Sequence, residues 1–154
     1  MKSIIAKDIA AGFNIAIVVS RFNENVTQKL LQGALERLEE LEFETHQITV
    51  AHVPGAVELP VTAQAFAKTG SVDAIVCLGA VIRGETTHYD YVCSQVSEGC
   101  QRVALDHSIP VIFGVLTTEN KEQALARAGG ARGHKGRDAI DTAYEMVSVL
   151  KQIK

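Results

Sequence analysis

A chain of 154 residues, 47% hydrophobic and 21% charged, has the makeup of an ordinary globular protein, and its length predicts one domain over residues 1–154. With 15 lysines and arginines against 18 aspartates and glutamates, the formal charge of −3 excludes general nucleic-acid or anionic-membrane binding, so any phosphate site has to be local. Met1 to Asp8 lack the apolar core of a signal peptide and no stretch approaches the ~20 apolar residues of a membrane helix, so a soluble, cytoplasmic protein is expected.

Ser3-Ile4-Ile5-Ala6 reads as a short strand without a hairpin partner, free to join the sheet of a neighbouring subunit. Ile15-Ala16-Ile17-Val18-Val19, within Asn14 to Ser20, is apolar without alternation, the pattern of a strand covered on both faces. From Asn25 to Glu42 the period changes: Val26, Leu30, Ala34, Leu38 and Leu41 recur at three- and four-residue steps, which predicts an amphipathic helix. A second strand, Ile48 to Val53, is stopped by Pro54-Gly55, and a helix follows through Ala67 with Pro60 in its first turn.

Ala74 to Gly79 predicts a third buried strand, and the loop from Ala80 to Thr87 leads into a helix from His88 to Leu105. Pro110 to Leu116 reads as a fourth strand, Glu119 to Ala128 as a short helix, and Asp138 to Ile153 as the last one. The Gly129 to Gly136 stretch between those two helices breaks helical continuity. Strand alternating with helix four times predicts an α/β fold: a three-layer α/β/α sandwich on a four-stranded, parallel, flavodoxin-like sheet.

Cys77 lies in an apolar run, and Cys93 and Cys100 share a helix face without a partner at zinc-type spacing. They read as structural thiols in a reducing compartment, and no metal site is expected.

Open α/β sheets bind ligands beyond the carboxyl ends of their strands. Here those ends are Ser20 to Asn23, Pro54 to Glu58, Ala80 to His88 and Phe113 to Thr118. Phe22 is a large ring in a polar turn. It serves either as a hydrophobic staple against Thr27, with Asn23 as N-cap, or as a stacking platform for a flat heterocycle. The helix dipole alone explains Glu58, although the Gly55-Ala56-Val57-Glu58 corner also presents amides and a carboxylate suited to a polyol chain. In Arg83-Gly84-Glu85-Thr86-Thr87-His88, Thr87 with Asp90 fits a capped helix start, and bare amides beside Gly and Thr form a natural phosphate site. His88 beside it is of the type that moves protons near neutral pH, or else is an ordinary surface residue.

Arg127, Arg132, His134, Lys135 and Arg137 form a basic cluster, which is most simply solvated surface. Gly133-His134-Lys135-Gly136 lacks the Gly-Lys-Ser/Thr ending and the preceding strand of a Walker phosphate loop. No G-x-G-x-x-G fingerprint follows the first strand, and no nucleophile elbow is present, so ATP, NAD and acyl-enzyme chemistry are disfavoured.

Ser20 to Asn23, Val53 to Pro60, Leu78 to Tyr89, Pro110 to Thr118, Glu122 to Ala124 and Arg127 to Gly129 together resemble the lumazine synthase family, over nearly the whole chain. The resemblance implies condensation of 5-amino-6-(D-ribitylamino)uracil with 3,4-dihydroxy-2-butanone 4-phosphate to 6,7-dimethyl-8-ribityllumazine. Phosphate and water are released, and no metal or organic cofactor takes part. This is the penultimate step of riboflavin synthesis. By the same resemblance Phe22 stacks on the pyrimidine, and Ala56, Val57 and Glu58 hold the ribityl chain. The backbone of Ala80, Val81 and Ile82 reads the pyrimidine edge, Glu85 and Thr86 line the phosphate pocket, and His88 transfers protons. Phe113, Arg127 and Lys135 are implied to come from the adjacent subunit of a pentamer, Arg127 neutralising the phosphate.

The family segment often reads Gly-Thr-Lys-x-Gly-Asn-Lys-Gly, where this chain has Gly130, Ala131, Arg132 and His134, and Asp138 stands where Glu is frequent. The short bend resembles that of members that build icosahedral shells of twelve pentamers, and it implies a sixty-subunit assembly. Riboflavin synthase is the protein partner that the resemblance admits. A flavin-binding module without turnover and a purely structural cage are the competing readings; His88, Arg127 and Phe22, all present, weigh against both.

Overall fold

Runs that are apolar at every position become strands only where both faces are covered, and this chain supplies a helical layer for each face. In a computed structural model, which describes residues 1–8 and 12–154, β1 (Ile15–Ser20), β2 (Ile48–Val53), β3 (Ala74–Ile82) and β4 (Val111–Thr118) form one sheet. Every neighbouring pair is parallel and the order is β2-β1-β3-β4. The helices are α1 (Glu24–Glu40), α2 (Leu59–Thr69), α3 (His88–His107), α4 (Lys121–Ala126) and α5 (Lys135–Ile153). The expected three-layer sandwich is the observed one.

Alternation along the strands divides the core in two. Ile15, Ile17 and Val19 of β1, with Val76 and Leu78 of β3, pack against Val26, Leu30 and Leu38 of α1 and Ile140 and Val147 of α5. Ala16, Val18, Ile75 and Cys77 point the other way, onto Leu59 and Ala63 of α2 and Val96, Cys100 and Val103 of α3. Buried aliphatic side chains of this kind each contribute roughly 1.5–3 kcal/mol. Cys77 and Cys100 are buried free thiols, as the apolar run around Cys77 suggests.

Element ends depart from the sequence reading in instructive ways. β3 runs to Ile82 rather than stopping at Gly79, because Ala80, Val81 and Ile82 pair with Leu116, Thr117 and Thr118 of β4. α5 begins at Lys135, three residues before the expected Asp138, where the His134 ring accepts the first free amides. The glycine-rich stretch is a small antiparallel hairpin, β5 (Ala128–Gly130) with β6 (Gly133–His134), turning at Ala131-Arg132, with positive-φ Gly129 at the register shift and Gly133 just after the turn (φ 106° and 90°). Residues 3–6 form no strand within the chain. The segment instead runs along α5, with the Lys7 amide donating to Ser148 Oγ (2.8 Å) and Gln152 Nε2 to the Ile5 carbonyl (2.8 Å).

α1 and α5 are also tied by charge. Arg137 reaches Glu40 at 2.7 Å, and Arg37 bridges Glu40 at 3.1 Å and Asp141 at 2.7 Å. Hydrogen bonds from Arg137 and then Arg37 hold the Glu40 carboxyl down at about 2, from an ordinary 4.5. The unfolded chain therefore binds the extra proton first, so the stabilisation from Glu40 is complete above pH 4.5 and is lost as pH falls toward about 2. Glu40→Gln should flatten the fall of the melting temperature across that acid window; an unchanged acid limb would show that the carboxylate does not link the helices.

Candidate functional site

Because all four strands are parallel, their carboxyl ends share one edge, and the chain leaves β1 for β2 on one side and reaches β3 on the other. Two loops diverge at that reversal and leave a crevice. Main-chain bonds fasten its wall: the Arg21 amide donates to the Val53 carbonyl (2.8 Å) and the Phe22 amide to the Pro54 carbonyl (3.0 Å). The resulting cleft has a volume of about 370 Å³. Phe22, Ala56, Val57, Glu58, Ala80, Val81, Ile82, Thr86 and His88 all line it.

Phe22 is 70% exposed whereas Thr27 is buried, so the staple does not form and the ring stands free at the cleft. Asn23 has a different task from the side-chain cap expected of it. It sits in the left-handed region (φ 63°, ψ 48°), makes no side-chain cap bond, and sends its Nδ2 to the Ala80 carbonyl at 2.8 Å. It thereby ties the end of β1 to the end of β3.

The second wall is a single turn of 3-10 helix, Ala56–Glu58, in front of α2. Glu58 ends that turn and stands at the N-cap of α2, with Oε1 accepting the Gly55 amide at 2.9 Å. Pro60 falls in the first turn of α2. The third wall is the loop into α3. Thr87 occupies the N-cap position in a right-handed backbone conformation without a side-chain bond, and it is the Thr86 hydroxyl that accepts the His88 amide, at 3.3 Å. Glu85, exposed, lies between the lining residues Gly84 and Thr86.

Arg83 steadies this loop from outside the cleft. It pairs with Glu119 at 2.7 Å and Asp90 at 3.4 Å, and stacks over the Tyr89 ring, 4.4 Å from its centroid. Burial, reinforced by the Cys93 side chain, raises the Tyr89 phenol above its ordinary value. Tyr89 and Val92, one and four residues beyond His88, complete the lining, and helical spacing is the signal that could have found them.

Phe113, Arg127 and Lys135 are not brought to this cleft by their own chain. Phe113 is half-buried on β4, among the residues packed against the α2 and α3 layer. Arg127 and Lys135 line a separate basin of about 330 Å³ with Arg132, Asp138 and residues 115–118. Arg127 Nη1 donates to the Gln123 carbonyl at 2.9 Å. Among the described residues, Arg127, Arg132 and Lys135 take part in no ion pair. Among the described residues, no group of three or more His, Cys, Asp or Glu side chains is placed to hold a metal ion, and no helix is long and apolar enough to cross a membrane.

A sequence model of the 6,7-dimethyl-8-ribityllumazine synthase family matches residues 12–151. The chain belongs to this family. It is similar to 6,7-dimethyl-8-ribityllumazine synthase of Coxiella burnetii (strain Dugway 5J108-111), 59% identical over 94% of this chain and 95% of the relative. It is also similar to the protein of the same name from Salinibacter ruber, 49% identical over 95% and 94% of the two chains.

The Asn23 tie makes two separable contributions. Asn23→Gly removes the amide bond and keeps a tolerated left-handed residue, costing about 1 kcal/mol. Asn23→Ala adds a left-handed penalty of about 1–2 kcal/mol. Urea denaturation should rank the wild type above Gly and Gly above Ala; equal stability of the two variants would contradict the backbone argument.

Proposed function

We propose that this chain condenses 5-amino-6-(D-ribitylamino)uracil with 3,4-dihydroxy-2-butanone 4-phosphate to 6,7-dimethyl-8-ribityllumazine, releasing phosphate and water, as the penultimate step of riboflavin biosynthesis. The observation that carries the site assignment is the cleft itself: a free aromatic ring faces the ends of two strands and an open helix start. Family membership over residues 12–151 supports the reaction.

Each lining group then takes a role. The exposed Phe22 ring stacks on the flat pyrimidine, whose polar edge meets the main chain of Ala80, Val81 and Ile82. Ala56, Val57 and Glu58 receive the ribityl hydroxyls. Glu85 and Thr86 hold the phosphate through their main chain and the Thr86 hydroxyl at the start of α3, where the positive end of the helix dipole favours an anion. His88, exposed in the cleft on the first turn of α3, transfers the proton. An amine and a ketone are already reactive toward each other. Holding them about 3–3.5 Å apart with one proton shuttle supplies much of the catalysis.

The phosphate still lacks a cation within its own chain. We place Arg127, Lys135 and Phe113 in the site of the adjacent subunit of a pentamer, with Arg127 neutralising the phosphate. The unpaired cations of the basin support this reading, as do the exposed Val61 and Tyr91 on α2 and α3, at 66% and 68%. The short hairpin between α4 and α5 supports further assembly into a shell of twelve pentamers, in the cytoplasm, with riboflavin synthase as the partner it could enclose.

Mixing the purified protein with both substrates, without added metal, should give lumazine absorbance faster than the spontaneous condensation, and His88→Ala should slow it while still binding the pyrimidine. No rate above the spontaneous one would mark a binding module instead. Arg127→Ala should raise KM for the phosphorylated ketone far more than KM for the pyrimidine. Light scattering should give an oligomer, and a monomer working at full speed would contradict the shared site.

A further inference from the structure

The basin that holds Arg127 and Lys135 is built on a contact involving a titratable side chain. His134 Nδ1 accepts two main-chain amides at the start of α5, from Gly136 at 3.1 Å and from Arg137 at 3.3 Å. A ring nitrogen that accepts hydrogen bonds carries no proton, so this cap requires the neutral imidazole with its hydrogen on Nε2. The protonated ring has no acceptor to offer and would face the positive end of the helix dipole.

Glycines make the space in which the ring sits. Gly33 of α1 lies against it, and a Cβ added there would collide with Cε1 and Nε2. A Cβ on Gly129 would meet Cδ2 at 3.2 Å, and one on Gly136 would meet Cε1 at 3.0 Å. Three glycines on three elements thus make the slot that holds the imidazole.

The same residue anchors the basin. His134 pairs with Ala128 across the hairpin, the Lys135 amide donates to the Arg127 carbonyl at 2.8 Å, and the Arg132 amide to the Ala126 carbonyl at 2.8 Å. The main chain of Arg127 and the first residue of α5 therefore hold each other in place beside the cap.

We propose that His134 is a positioning residue for the cationic basin, keeping Arg127 and Lys135 in register through its cap on α5. This rests on the reading that the basin receives the phosphate of the ketone substrate.

The test compares the assembled wild-type enzyme with His134→Asn, His134→Ala and Gly33→Ala at one pH. Asparagine caps helices well. His134→Ala should raise KM for the phosphorylated ketone about fivefold, the worth of one lost cap, and His134→Asn should restore it. KM for the pyrimidine should be the same in all four proteins. Gly33→Ala, which evicts the ring without touching residue 134, should behave like His134→Ala.

Hydrogen exchange of residues 134–140 reads the cap without any turnover. Protection should fall in His134→Ala and hold in His134→Asn. Equal protection in the two variants overturns the cap, whatever the enzyme does. Protection that differs while the ketone KM does not overturns the positioning role; a ketone KM that Arg127→Ala also leaves unmoved removes the basin from phosphate binding instead.

Discussion

The parallel register of four strands is the constraint on which the rest of this molecule depends. It sends every strand-to-helix connection to one edge of the sheet, and the reversal of strand order between β1 and β3 prevents two of those connections from filling the space between them. A void there is a result of topology, formed before any side chain is chosen. What the sequence adds is lining: a ring that is left unpacked at Phe22, a tight corner at Gly55 to Glu58, and a helix start in front of His88.

Local bonds convert that void into a rigid receptacle. Arg21 and Phe22 are fastened to the second loop by their amides, Asn23 to β3 by its side chain, and the third loop to the far end of β4 through Arg83 and Glu119. A receptacle assembled during folding leaves less ordering to be done when a ligand arrives, which is how a scaffold without a strong nucleophile can still hold two reactive partners in alignment.

The strands were legible because burial on both faces leaves no polar position in Ile15 to Val19 or Ala74 to Gly79, and α1 because its apolar positions repeat at three and four residues. The ends were less legible, since long-range partners decide them. Nothing in Ala80-Val81-Ile82 announces that β4 will carry the pairing three residues further. The choice between Thr86 and Thr87 at the head of α3 turns on a backbone angle, and the staple at Phe22 failed because Thr27 is drawn into the core. The hairpin at Ala128 to His134 was hidden by its glycines, which read as interruption when two of them are the positive-φ residues on either side of its Ala131-Arg132 turn. For the site, proximity in sequence served for the cleft residues, each near a strand end. It could not serve for Arg127 and Lys135, which fold into a basin of their own.

The seat of the His134 ring over Gly33 has a consequence for how this chain can drift. A side chain at 33 and the imidazole compete for one space, so a substitution at 33 is accommodated only as far as the ring of residue 134 gives way. Gly136 is barred independently, because a methyl there would strike the Leu30 carbonyl. Positions 33 and 134 are therefore coupled in drift, while position 136 is held by backbone first.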